Sequence, residues 1–512
     1  MRKIFVKICY ALAFLASALA FAFLGAGCGA DSSSPRHWHD LEEYYDKDYH
    51  WKKCGGCGEI FEKKWHVFNA DGECVDCYAF SGKTEHVEYE EMGDHAVVVG
   101  CKHTTEKVRI LSTYNGLPVT EIAEGALRDN SIWGVSIPES VTIIGKSAFE
   151  NCKSLRDVML PDELTELGEE AFQDCQSLTN IVIPDKVKSI SKFAFSGCKK
   201  LTDVEILEGS LKTIGERAFE CCESLTELRL PEGLTAIEKY VFYECVGLTV
   251  VELPETLATM GEYAFFSCTS LTNIRIPSKI TTIEKETFKY CGSLASVELP
   301  NVLKTIDDEA FAYCVSLTVT LPDSLTGIGR SAFNECVSLM NIRIPKNVKT
   351  IGNRAFNGCT KLTSVELAEG ISSIIEEMAF RECPNLQYNV YENARYLGNE
   401  KNPYLALMGK TGYDFENYEI HEDTKIIAAL ALSGMTKATS IILPDGVTHI
   451  GAYAFQECDS LTAVIIPKSV VYIGEKAFDR CERVTFYCKA ESQPSGWHTD
   501  WNDLNREVVW NY

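Results

Sequence analysis

LRDVMLPDELTELGEEAFQDC, Leu155 to Cys175, is followed after two residues by LTNIVIPDKVKSISKFAFSGC, Leu178 to Cys198. Both carry apolar residues at the same offsets, then an Ala-Phe pair and a closing Cys. The shared unit is L-x-x-V-x-L-P-x-x-V-x-x-I-x-x-x-A-F-x-x-C-x-x. Copies close at Cys152, Cys175, Cys198, Cys222, Cys245, Cys268, Cys291, Cys314, Cys336, Cys359, Cys383, Cys458 and Cys481. The spacing is 23 residues with rare slips of one, as at Cys314 to Cys336, which is 22. Weaker copies run from Val108 to Leu127 and from Phe415 to Met435, the latter with Leu432 in the Phe slot and Met435 in the Cys slot. A period this short means stacked coils, so most of the chain reads as one solenoid of about 23 residues per coil.

Each unit predicts a strand, a turn and a return. V-x-L alternates, so its Val and Leu face inward and its middle residue outward. Pro then stops the strand, since it offers no ladder donor. A-F-x-x-C predicts a short helical turn on the return side. A single unit cannot bury its apolar face, so neighbours bury it for one another. The Phe residues, Phe149 to Phe478, are expected to form one buried column. The Cys residues form a parallel column that reads as buried free thiols acting as small apolar side chains. A disulfide ladder is the other reading that an oxidising compartment allows.

The unit A-F-x-x-C-x-x-L-x-x-V-x-L-P resembles the BspA-like leucine-rich repeats of bacterial surface proteins, over roughly residues 85–512. Tyr396 to Leu407, YLGNEKNPYLAL, resembles a hairpin-like insertion of such arrays. Cys488 to Trp510 resembles their closing segment. The resemblance implies a leucine-rich repeat fold, export, and a role in adhesion or ligand binding.

Physics asks for capped ends, because an open solenoid exposes apolar edges. His86 to Cys101 alternates around a Gly93-Asp94 turn and reads as an N-terminal cap hairpin within 85–106. Trp497, Trp501 and Trp510 read as the core of a C-terminal cap, 484–512. Between them lie repeats at 107–386 and 415–483, separated by a Tyr-rich insertion at 387–414.

The outward residue of V-x-L runs Glu205, Arg229, Glu252, Arg275, Glu298, Thr320, Arg343, Glu366 along successive coils. Alternating signs on neighbouring strands neutralise one another. That strip suits no highly charged ligand. Its apolar ends, Met159 and Val182 early and Ile442 and Ile465 late, are better candidates for a protein contact. The insertion is the other candidate, with Tyr388, Tyr391, Tyr396, Tyr404 and Tyr413. Loops on rigid scaffolds carry recognition, and Tyr is enriched at interfaces. The plainer alternative is that these rings pack onto the solenoid.

The 512 residues carry a net charge of −24. That speaks against nucleic acid, which needs clustered Lys and Arg. The first 28 residues read as an export signal: Arg2, Lys3 and Lys7, an apolar run, then small residues before Cys28. They resemble bacterial lipoprotein signals, with Gly25 where Leu is usual, and the resemblance implies lipid on Cys28. Cleavage near Ala26 or Ala30, or retention as a membrane helix, are the alternatives. All three place the remainder outside the cytoplasm, at the bacterial cell surface if lipidated. Residues 29–47 read as a polar tether.

Residues 48–80 hold two C-x-x-C pairs, Cys54 with Cys57 and Cys74 with Cys77. This spacing fits four thiolates around one structural zinc ion, and the segment resembles small ribbon modules. Two disulfides are the rival reading.

No enzyme is expected. The stretch from Thr104 to Ile420 has no His, and no phosphate-binding loop occurs. The chain thus reads as a cell-surface protein that binds a protein ligand, such as a host matrix or cell-surface protein, through the strand face or the insertion. The alternative is a passive envelope spacer.

Overall fold

The computed structural model describes residues 84–412, 416 and 418–512 in full, and before them the backbone of three strands, Leu41–Tyr45, Tyr49–Cys54 and Ile60–Trp65. Cys28, Cys57, Cys74, Cys77, Tyr413 and the side chain of Cys54 lie outside the described residues. Two units are distinguished, Met1–Ala79 and Phe80–Tyr512.

In the first unit the three strands form an antiparallel sheet in sequence order. Leu41–Tyr45 falls in the stretch read above as tether. Its Tyr pair favours a strand. In register, Glu42 stands opposite Lys53 and Glu43 opposite Lys52. Cys54 closes the middle strand.

The second unit is a β-solenoid of about 18 turns with about 23 residues per coil. The V-x-L step forms one strand per coil, as at Glu227–Arg229, where Leu228 is buried between two exposed charges. A second strand of two residues follows the Pro turn, as at Thr213–Ile214 and Ala236–Ile237. Alternation cannot reveal a strand that short. These short strands pair in parallel and nevertheless build the longer ladders, within sheets of ten, five and six strands. Pro opens the turn between the two strands, and its carbonyl accepts the amide three residues on, as from Val141 to Pro138 at 3.1 Å.

The return side holds tight turns where short helical turns were expected, and no helix occurs among the described residues. The cause is a repeated left-handed residue. Ser147 and Asn151 have φ of 53° and 61°, Glu170 and Asp174 58° and 56°. A left-handed residue ends a right-handed helical run. Amides then alternate in direction. Ala148 and Glu150 donate back to Gly145 and Ser147 within their coil. Ser147, Phe149 and Asn151 donate across to Glu169, Ala171 and Gln173 of the next coil at 2.7–2.8 Å. Turn by turn, half of the backbone donors bond coil to coil.

The core between these walls is one continuous cluster from Val87 to Trp501. Phe149 to Phe380 stack in an unbroken column, with centroids 4.9 to 5.8 Å apart. The column resumes at Phe455 and Phe478. The Cys column has a role that sequence reading missed. Each thiol donates to the carbonyl of the residue in the Phe slot of the preceding coil, as from Cys268 to Phe242 and from Cys291 to Phe265, both at 3.1 Å, and to Leu127 and Leu432 from Cys152 and Cys458. The slot is therefore small and apolar yet holds a donor that ties two coils together.

Caps and insertion extend the ladders. The hairpin of Val87–Glu91 and Ala96–Cys101 sets its second strand parallel to Leu117–Ile122. At the other end Val508–Trp510 pairs with Thr485–Cys488, and Trp497 bridges to Ile473. Trp497 and Trp501 are buried, 4.9 Å apart. The insertion forms a hairpin, Asn389–Tyr391 with Ala394–Leu397, followed by Ala406–Lys410, which rejoins the short-strand ladder beside Ile426–Ile427.

Candidate functional site

Along the strand face, the expected charge pairing is present between register partners. Arg229 lies 3.7 Å from Glu252, Arg275 3.6 Å from Glu298, and Arg343 3.6 Å from Glu366. All are exposed, so each pair contributes about 0–1 kcal/mol. The shallow groove of about 530 Å³ over Asp203–Glu252 holds one of these pairs, Arg229 with Glu252, beside the carboxylates of Asp203, Glu205, Glu208 and Glu227. A second groove, about 700 Å³, lies over Ser296–Asn341. There the 22-residue coil fails to form its strand, Ser296 makes only an isolated bridge to Thr318, and Thr320 belongs to no strand.

The insertion creates the largest cleft of the three, about 810 Å³, between its hairpin turn and the strand Ser440–Ile442. Tyr391, Glu392 and Asn393 form one wall; Tyr418 to Glu422 form the floor; Ser440, Ile442 and Pro444 form the other wall. The two families of sequence candidates thus meet: Tyr391 from the insertion and Ile442 from the strand face. Ile442 is 69% exposed, the most exposed large apolar side chain of the described residues.

Tyr388, Tyr396 and Tyr404 do not line this cleft. Tyr396 is fully buried, and its hydroxyl accepts the His421 amide at 3.3 Å. Tyr388 packs against the core under Arg395, 5.1 Å from its ring. These two pack onto the solenoid. Tyr404 instead stacks on the His421 ring at 4.0 Å, and Tyr391 meets the same ring edge-on at 4.7 Å. His421 was missed by sequence reading because a lone His beside an acidic stretch carries no motif. Its Nδ1 accepts the Asp423 amide at 3.2 Å, which places the proton of the neutral ring on Nε2.

Side chains of the floor lock the hairpin in place. The Tyr418 hydroxyl donates to the Asn393 carbonyl at 2.6 Å, and the Tyr391 hydroxyl donates to Glu419 Oε1 at 3.0 Å. The bond to Glu419, with the nearby charges of Glu392 and Glu422, holds the Tyr391 phenol above its ordinary pKa. None of Glu392, Glu419 and Glu422 has an ion-pair partner among the described residues.

Beyond the cleft, the strand face loses its charges. Ile442 stands in register with Ile465, Ile465 with Tyr487, and Tyr487 with Val509. Ile465 is only half-buried. Met159 and Val182 are exposed on adjacent coils near the other end and line none of these three grooves.

The family model of the BspA type leucine rich repeat region matches residues 120–223, 206–318, 281–400 and 411–491, well over half of the chain. The chain belongs to the BspA-type leucine-rich repeat family. No curated protein sequence matches it. Among solved structures, a leucine-rich repeat protein from Bacteroides ovatus is similar at 26% identity and a TM-score of 0.52, over 83% of this chain and 98% of that one. A leucine rich cell surface protein from Faecalibacterium prausnitzii is 21% identical over 92% of this chain and 98% of that one, TM-score 0.29. The pneumococcal vaccine antigen PcpA is 18% identical over 84% and 98%, TM-score 0.40.

BspA-type repeats are scaffolds of a class that is typically non-enzymatic and generally binds proteins. Homologues of this type are described as cell-surface proteins. No helix of the described residues is long and apolar enough to cross a membrane.

Proposed function

We propose that this BspA-type protein works at the cell surface as an adhesin-like binding module, and that its protein partner docks in the cleft between Tyr391 and Ile442. One observation carries the reading. A strongly exposed Ile442 lines the same cleft as the rings of Tyr391 and His421, at the place where the self-neutralising charges of the strand face give way to an uncharged column. Aromatic and aliphatic anchors in a cleft with a polar rim are what protein interfaces use.

The test is a saturation binding screen of the full chain against host matrix and cell-surface proteins, repeated with Ile442→Asp and Tyr391→Ala. A saturable partner whose affinity falls at least about tenfold in both variants is expected, since truncated anchors cost about 2 kcal/mol or more. No saturable partner would favour a passive spacer. A partner indifferent to both changes would move the site elsewhere.

Two further assignments belong to the same reading. Lipid on Cys28 would hold the chain to the membrane, and Cys28→Ser should then shift it to the soluble fraction. Four thiolates, Cys54, Cys57, Cys74 and Cys77, would hold one structural zinc ion with no open position for chemistry. Metal analysis of the purified, reduced protein should find one zinc per chain, lost in Cys57→Ser. A metal-free protein with these four Cys oxidised in pairs would replace zinc by disulfides.

A further inference from the structure

The insertion opens a smaller cavity on the return side. Elsewhere the two-residue strands of successive coils pair directly. Here Ala406–Lys410 takes that place beside Ile426–Ile427, and no Ala-Phe turn follows it before Ala431-Leu432. The turns on either side, 376–383 and 428–435, are bonded at one end, where the Ala429 amide donates to Ile375 at 3.0 Å. Beyond that point they part. In the coil before, Arg354, Phe356 and Gly358 donate across to Glu377, Ala379 and Arg381. Met378, Phe380 and Glu382 hold the same three places one coil on, and their amides reach no acceptor among the described residues. Backbone donors in a packed wall are normally paired, so this row has room for an acceptor from outside the chain.

The gap holds a cavity of about 260 Å³, with Met378, Phe380, Tyr388, Arg395 and Met408 in its lining. Phe380 is 7% exposed, whereas each ring of the column from Phe149 to Phe356 is 0% exposed. The Arg395 guanidinium lies 5.1 Å from the Tyr388 ring and over Gly409, where a Cβ would come within 3.1 Å of Nε. No carboxylate pairs with it among the described residues. Glu376 also lines the cavity, and its Oε2 accepts the Asn353 amide at 2.8 Å.

We propose that this cavity binds a carboxylate borne on an apolar group of side-chain size. The carboxylate would accept the Met378 and Phe380 amides and pair with Arg395, since charge-assisted bonds favour an anion there. The apolar group would lie against Phe380, Tyr388 and Met408, and Met adapts readily to the shape it meets. A free acid and a chain end with an apolar last residue share this chemistry. The site has no lining residue in common with the cleft at Tyr391 and Ile442, so it stands or falls apart from that cleft.

The probes are phenylacetate and the tripeptide Gly-Gly-Phe with a free C-terminus, each titrated against the full chain by ligand-observed NMR. Phenylacetamide and the C-terminally amidated tripeptide are the controls. Saturable binding of at least one acid, with its carboxamide at least about tenfold weaker, is the expected result, and the tighter acid names the source. Arg395→Gln, at an exposed position, should weaken that acid about tenfold. Ala429→Leu, which enlarges a side chain of the lining, should abolish binding. Thermal melts check that both variants fold. Equal binding of acid and carboxamide would overturn the carboxylate. Unchanged affinity in either folded variant, or no binding of either acid, would overturn the site.

Discussion

Raising the pH from about 8 to about 10 in the presence of reductant is expected to unfold the array. The cause is the Cys column. Burial pushes the thiols of eleven column residues, Cys152 through Cys383, above the ordinary range, to about 12 at Cys152 and Cys291 and about 11 at Cys383. In the unfolded chain the same thiols ionise near their ordinary value of 9.0. A raised folded pKa gives stability that is complete below the unfolded value and is lost as pH rises toward the folded one. Each thiol then removes about 0.4 kcal/mol by pH 9 and about 1.4 kcal/mol by pH 10. Over eleven thiols the loss reaches about 4–5 and then about 15 kcal/mol, beyond the total stability of an ordinary domain. Thermal melts across this range should show the midpoint falling steeply above pH 9. Replacing Cys245, Cys268 or Cys291 by Ala should in each case reduce the loss between pH 9 and pH 10 by about 1 kcal/mol. An unchanged midpoint from pH 8 to 10 would mean that these thiols do not sit in the apolar core.

Phe265→Ala is expected to cost about 3–5 kcal/mol. Its ring is fully buried between Phe242 at 5.1 Å and Phe288 at 5.4 Å. Truncation removes both stacked neighbours and leaves a cavity that rigid coils cannot close. Each coil touches only its neighbours, so the damage should split the array locally rather than spread evenly. Phe380→Ala should cost less. Phe380 ends its run of the column, stacks on Phe356 alone and keeps 7% exposure. Thermal melts of the two variants check the order; a Phe265→Ala protein that melts like wild type would refute the packing.

The Phe and Cys columns were legible because A-F-x-x-C recurs without ambiguity, and periodicity is the signal that sequence carries best. The second strand was not, since two residues such as Thr213 and Ile214 show no alternation. The turns of the return side were misread as helical because the left-handed slot accepts Ser, Asn, Glu, Asp and even Tyr240, and so leaves no residue signature. At the candidate site, the exposed Ile442 was legible from its place in V-x-L. Its meeting with Tyr391 was not, because that depends on how the inserted hairpin rejoins the ladder through Ala406–Lys410. Nor was the split among the tyrosines, where Tyr396 turns inward and Tyr404 turns to His421. One residue of register decides which ring meets the core.

The claim that this solenoid binds a protein at the break in its strand face is tested most directly by amide hydrogen exchange of the full chain with and without its captured partner. Added protection confined to Tyr391–Asn393, Glu419–Glu422 and Ser440–Ile442 is the expected result. Protection centred instead on Asp203–Glu252, or none at any segment, would contradict it.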